Sequence, residues 1–166
     1  MKTIAQKHIN DLVHKASKQP LHRSDFKFND GEQETSQRIL NAWTTDAYVR
    51  PHKHSAPSRR ESWVVLQGKA IVLEFDDFGR IKQQALLSQE DNLVIEIEAG
   101  KWHSILILEP NTVLYEVKEN TLGAEADKIY AAWAPDETSP EAAHYRDTLL
   151  KELGYFSFAY NYEYFF

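Results

Sequence analysis

Three histidines and one glutamate in this chain have the types and spacing of a metal site. His52-Lys53-His54 places two imidazoles two residues apart. Successive side chains of a β-strand point to opposite faces, so residues two apart share a face and can converge on one ion. Glu61 opens the next β-rich run, and Gly100-Lys101-Trp102-His103 brings a third imidazole to the start of another. Such a nitrogen–oxygen donor set suits iron, manganese, nickel, copper or zinc. The chain has no cysteine, so nitrogen and oxygen must hold any metal and no disulfide braces the fold. Taken alone, His-x-His would more often sit in a solvated loop; Glu61 and His103 on strands of the right kind weigh against that.

Strand alternation extends the site. If His52 and His54 face inward on a strand over 47–54, Tyr48 and Arg50 face inward with them. Arg50 could then hold a carboxylate or phosphate of a ligand, or it is a rim arginine paired to a carboxylate. Trp63 and Val65 share the parity of Glu61 and are expected to line the cavity, as core rather than as a platform for substrate. Glu116 and Lys118 alternate with Tyr115 and Val117, so one pair faces in. An inward Glu116 would be a candidate general base, but an exposed pair on an edge strand is the reading preferred from pattern. His8, His14, His22 and His144 lack ligand-like spacing and are expected at the surface.

These residues need a scaffold that brings distant positions together. From about 38 to 118 the pattern is short β-rich runs, clearest at 47–54, 61–66, 69–75, 81–87, 93–97, 103–108 and 112–118. Asp76-Asp77-Phe78-Gly79, Ala99-Gly100 and Pro110-Asn111 supply turns. This predicts an antiparallel sandwich or barrel, since connections so short cannot hold parallel crossovers. A helix is expected over about 4–17, with Thr3 and Gln6 as a capping box, Ile4, Ile9, Leu12, Val13 and Ala16 as its apolar face, and Pro20 ending it. The polar stretch 21–37, with Asn29-Asp30-Gly31 as a turn, is either a linker or a strand over the barrel. A second helix is expected over about 140–153, with Ser139 as N-cap, Pro140 at its first position, Gly154 past its end and Ala142, Tyr145, Leu149 and Leu153 on its buried face.

The last stretch, 155–166, is aromatic at eight of twelve positions. Phe156, Phe158, Tyr160, Tyr162 and Tyr164 share one parity, a strand pattern. Packing on its own barrel, pairing with a partner subunit and touching a membrane are the three readings; subunit contact, in a homodimer, is preferred because an exposed stripe of this kind would aggregate.

Composition narrows the class. The 166 residues suit one domain with a core, 42% hydrophobic and 27% charged. No apolar run approaches a membrane span. A net charge of −6 argues against general nucleic-acid binding. Residues 1–8 lack the apolar core of a secretory signal, and a cytoplasmic protein is expected.

The run His52-x-His54, Glu61, six residues, Gly68 resembles the first cupin motif, and Gly100-x-x-His103 resembles the second. The interval from His54 to Glu61 is longer than usual, and Glu98 stands where the second motif commonly has proline. Tyr48-Val49-Arg50-Pro51-His52-Lys53-His54, the run 72–79, Gly100-Lys101-Trp102-His103, Tyr115-Glu116-Val117-Lys118 and Ala132-Trp133-Ala134-Pro135 look like recurring segments of the WbuC-type cupin fold metalloproteins. The resemblance spans about residues 4–153 and leaves out the aromatic tail. It implies a mostly β, jelly-roll cupin barrel with one divalent ion (iron, manganese, nickel or zinc) on His52, His54, Glu61 and His103. It also implies association with gene clusters for O-antigen and other surface polysaccharides, with no settled reaction.

Two functions follow. One is an enzyme of sugar or nucleotide-sugar metabolism, its metal a Lewis acid or an activator of water. The other is a non-catalytic, metal-dependent sugar-binding or regulatory cupin. In either case the expected partner is a small molecule, an anionic sugar derivative foremost, with Arg50, Tyr48, Trp63, Glu116 and Lys118 as candidate contacts. An oxygenase is a weaker third reading, because its common iron site has two histidines and one carboxylate.

Overall fold

The computed structural model describes residues 1–31, 34–54, 59–119 and 128–155. Along the chain run α1 (Gln6–Ala16), β1 (Arg23–Lys27), β2 (Ser36–Trp43), β3 (His52–His54), β4 (Glu61–Gln67), β5 (Ala70–Phe75), β6 (Ile81–Leu87), β7 (Val94–Ile97), β8 (Trp102–Ile107), β9 (Thr112–Glu119), β10 (Lys128–Tyr130) and α2 (Glu141–Glu152). The strands form two five-stranded sheets, ordered β1-β2-β9-β4-β7 and β10-β3-β8-β5-β6. Every pairing between these strands is antiparallel.

The inner faces of the two sheets make the central core, in which Trp43, Trp63, Val65, Val72, Ile105 and Leu114 pack together. Each helix covers one outer face. Leu12 and Ala16 of α1 lie on Leu40, Ala42 and Val113 of the first sheet. Leu149 and Leu150 of α2 lie on Ile71, Leu73, Phe75 and Leu106 of the second. Strand β5 is therefore apolar on both sides, and its near-continuous run Ala-Ile-Val-Leu follows from double burial rather than from alternation.

At the β4–β5 turn Gly68 has φ +77° and lies so close to Thr112 that a β-carbon would come 2.4 Å from its Oγ1. No L side chain fits there, which accounts for the glycine of the first histidine motif.

Two sequence expectations are corrected, one open alternative is decided and one strand is added. Helix α1 begins at Gln6, not near residue 4: Ala5 is its N-cap, and the Ala5 amide donates to His8 Nδ1 at 2.9 Å instead of Thr3 and Gln6 closing a box. Of the two readings of the polar stretch, the strand is the one present: β1 is paired along its whole length with β2. Strand β2 carries no clear strand pattern in its sequence, because Gln37 and Asn41 face a polar cavity and break the alternation that would betray it. The strand expected over 47–54 pairs only at 52–54. Residues 47–51 are irregular and, Arg50 apart, buried, held by Ser104 Oγ donating to Val49 O at 2.5 Å and Ala131 N–H donating to Pro51 O at 2.9 Å.

No described helix is long and apolar enough to cross a membrane. The aromatic stripe at 156, 158, 160, 162 and 164, and with it the expected subunit contact, lies outside the described residues.

Candidate metal centre

His52 on β3 and His103 on β8 are direct partners across the sheet. Directly opposed residues of an antiparallel pair present their side chains to the same face. His54 shares that face two residues on, and Glu61 enters from β4 of the other sheet. All four are buried. One ring nitrogen from each of His52, His54 and His103 lies within 4.8 Å of the other two. Glu61 touches two of the three rings: Oε2 is 3.0 Å from His54 Nε2 and Oε1 is 2.8 Å from His103 Nε2. Trp63 Nε1 also donates to Glu61 Oε1, at 3.0 Å.

The proton positions follow from the partners. His52 Nδ1 is 2.9 Å from Arg50 O, and His103 Nδ1 is 2.9 Å from Lys101 O. A carbonyl only accepts, so each Nδ1 must donate; in the neutral imidazole each Nε2 then turns its lone pair inward, free to ligate. Backbone carbonyls that hold imidazoles this way are a common outer shell of metal-binding histidines.

His103 Nε2 is buried without a hydrogen-bond partner although a carboxylate oxygen lies 2.8 Å away. Such an approach is met either by a proton on Nε2 or by a cation between the two atoms, and three imidazoles converging on the same point suit the second. The donor set and this contact fit a divalent ion. Burial, reinforced by Lys128 and His103, pushes the His52 pKa well below the usual imidazole value, so His52 is neutral and able to ligate. Burial pushes Glu61 upward, but His103 and His54 beside it more than offset this and hold it well below the usual carboxylate range.

The site opens into a cavity of about 410 Å³ between the sheets, whose lining includes His52, Glu61, His103, Trp63, Glu116, Lys118 and Lys128. Trp63 lines it while packing on Trp43, ring centroids 5.7 Å apart. Glu116 and Lys118 are not an exposed edge pair: β9 lies between β2 and β4, and both side chains are buried. Glu116 Oε2 accepts from Asn41 Nδ2 at 2.9 Å, and its Oε1 is 3.6 Å from Lys118 Nζ. Burial first and the Glu61 charge second raise the Glu116 pKa, against Lys118, Lys128 and Asn41, which lower it.

Arg50 and Tyr48 do not line this cavity. The Arg50 guanidinium donates to Asp136 at 3.2 Å and to Ala131 O at 3.0 Å, and lies over the Tyr130 ring. Tyr48 Oη donates to Pro135 O at 3.1 Å. Alternation could not be carried back from His52, because the segment before it is no strand. Sequence reasoning also missed Lys128, Asn41 and Arg23, which line the cavity from β10, β2 and β1; a three-residue strand and two polar ones carry no periodic signal.

The family described as "Domain of unknown function (DUF6016)" matches residues 4–87. Among solved structures, the chain is similar to capsular polysaccharide assembling protein CapF from Staphylococcus aureus, with 18% identity, TM-score 0.52, and 64% of this chain and 29% of that one covered. It is similar to oxalate decarboxylase from Bacillus subtilis, with 17% identity, TM-score 0.51, and coverage of 80% and 32%. DMSP lyase DddQ from Ruegeria pomeroyi DSS-3 gives 12% identity, TM-score 0.51, and coverage of 69% and 54%. The chain thus spans about a third of the first two and about half of the third. No curated protein matches it. At these identities the likeness carries the fold: a mostly β cupin with a helix at each end.

Proposed function

The chain belongs to the family described as "Domain of unknown function (DUF6016)", and from that premise we propose that it is a metal-binding cupin enzyme acting in the cytoplasm on a sugar or nucleotide-sugar derivative during surface polysaccharide assembly. The observation that carries the metal is the convergence of three buried imidazole nitrogens within 4.8 Å of one another, with Glu61 Oε1 2.8 Å from His103 Nε2. His52, His54 and His103 would hold the ion, with Glu61 as fourth ligand. When bound, it supplies Lewis acidity toward an oxygen of the ligand.

Glu116 favours an enzyme over a binding module. A pocket that only binds needs no buried carboxylate with a raised pKa beside its metal, whereas proton transfer does. Asn41 and Lys118 orient that carboxylate. Trp63 holds Glu61 and walls the cavity. The sugar is supported by the segments that resemble WbuC-type cupins and by the fold shared with CapF, a capsular polysaccharide assembling protein.

The test is elemental analysis of protein purified without a histidine tag, alongside His103→Ala, followed by a thermal-shift screen of nucleotide sugars. About one divalent ion per chain, lost in the variant, is expected. Full occupancy in His103→Ala would refute the centre.

A further inference from the structure

Two lysines reach the cavity beside the candidate metal ligands, one from each sheet. Lys118 on β9 is the direct cross-strand partner of Glu61, and Lys128 on β10 is the direct partner of His54. Opposed residues carry their β-carbons about 4.5–5.5 Å apart on a common face, so each ammonium stem starts beside a candidate ligand. Both line the cavity, and Lys118 is only 4% exposed. Burial is the main influence that lowers the Lys128 pKa, which marks its charge as one the fold holds at a cost.

The charges around this space do not balance once an ion is bound. Arg23 is committed to a two-pronged ion pair with Glu137, at 2.7 Å for each prong. Asp25 and Lys27 offset each other on β1. Glu61 and Glu116 then offset Lys118 and Lys128. A divalent ion on the histidines adds two positive charges with no further carboxylate among the described residues that line the cavity. A concave space with surplus positive charge draws an anion.

We propose that Lys118 and Lys128 form an anion subsite next to the metal centre, so that the ligand is a small acid with oxygen donors for the ion and a carboxylate or phosphate for the two ammonium groups. The surplus charge rests on the metal reading above; the lysine pair rests on the register alone. The subsite gives the ligand's acidic group the role that strand alternation had offered to Arg50.

The test is calorimetric titration of the full chain with inorganic phosphate, D-glucuronate and D-glucose, for wild type, Lys118→Met, Lys128→Met and Lys128→Arg, with metal content measured on each sample. Phosphate and glucuronate should bind wild type about tenfold or more better than glucose, as charge-assisted hydrogen bonds allow. Each Met variant should lose about tenfold in phosphate affinity at unchanged metal content, and Lys128→Arg should keep it. Equal phosphate affinity in wild type and both Met variants, or no phosphate binding by wild type, overturns the subsite. If wild type carries no metal, the metal reading fails separately; lysine-dependent phosphate binding in that protein still upholds the subsite, and its absence overturns it. Should a Met variant fail to fold, Lys128→Gln gives the same comparison.

Discussion

His103 and Glu61 show how much of this site is decided by single protons. With Nδ1 committed to Lys101 O, His103 has only Nε2 to offer a ligand, and that atom lies 2.8 Å from a carboxylate oxygen. Removing any of the three imidazoles should therefore abolish tight metal binding: His52→Ala, His54→Ala and His103→Ala are each expected to lower bound metal by tenfold or more in elemental analysis, with Glu61→Gln losing less. Glu116 offers a test by pH. In the metal-free protein its pKa is raised, chiefly by burial, so the folded chain holds that proton more tightly than the unfolded chain. Its contribution to stability is then fully present below the ordinary carboxylate range and is lost as pH rises through the raised value. Glu116→Gln cannot ionise. From about pH 4 to neutrality, urea unfolding with a chelator present should show stability shifting in the variant's favour. A gap independent of pH would mean that Glu116 ionises as readily folded as unfolded.

At the scale of elements, the β4–β5 turn is the part least able to change. Gly68 needs a positive φ, and any β-carbon there strikes Thr112. Thr112 cannot yield cheaply, since its Oγ1 accepts from Lys69 N–H at 3.1 Å and donates to Glu109 O at 2.7 Å. Gly68→Ala should cost about 3 kcal/mol, combining backbone strain with loss of one of those bonds, read as a lower midpoint in urea. Because Glu61 begins the same strand, the variant should also bind metal less tightly. A midpoint within error of wild type would show that the turn adopts another conformation.

For the whole molecule, an ion that bridges the two sheets ties together elements far apart in sequence. At the proposed centre it would bind the native chain and hardly at all the unfolded one. At a free metal concentration about 100-fold above Kd this adds about 2.7 kcal/mol, roughly 5–10 °C in Tm for a chain of this length. Chelation should remove that increment and added metal restore it, while the two apolar clusters under α1 and α2 keep the metal-free protein folded. The aromatic tail is a separate question of assembly. Truncation after Gly154, followed by light scattering, should turn a dimer into a monomer; monodisperse monomers before and after truncation would assign the stripe elsewhere.

Local periodicity made part of this protein legible without coordinates. His52-Lys53-His54 and the helix over 141–152 depend on neighbours two to four residues away, and so did the reading that Glu116 and Lys118 share a face. Which face that was, no local pattern could say. Only the position of β9 inside its sheet turns that pair toward the cavity. Arg50 failed for the complementary reason: alternation holds only along a continuous strand, and the pairing that makes β3 a strand begins at His52. Lys128 and Asn41 were beyond reach for a third. A polar cavity asks for polar residues at inward positions, which erases the contrast that marks a strand in sequence, and the partners that make those positions inward lie 74 and 75 residues away, at His54 and Glu116.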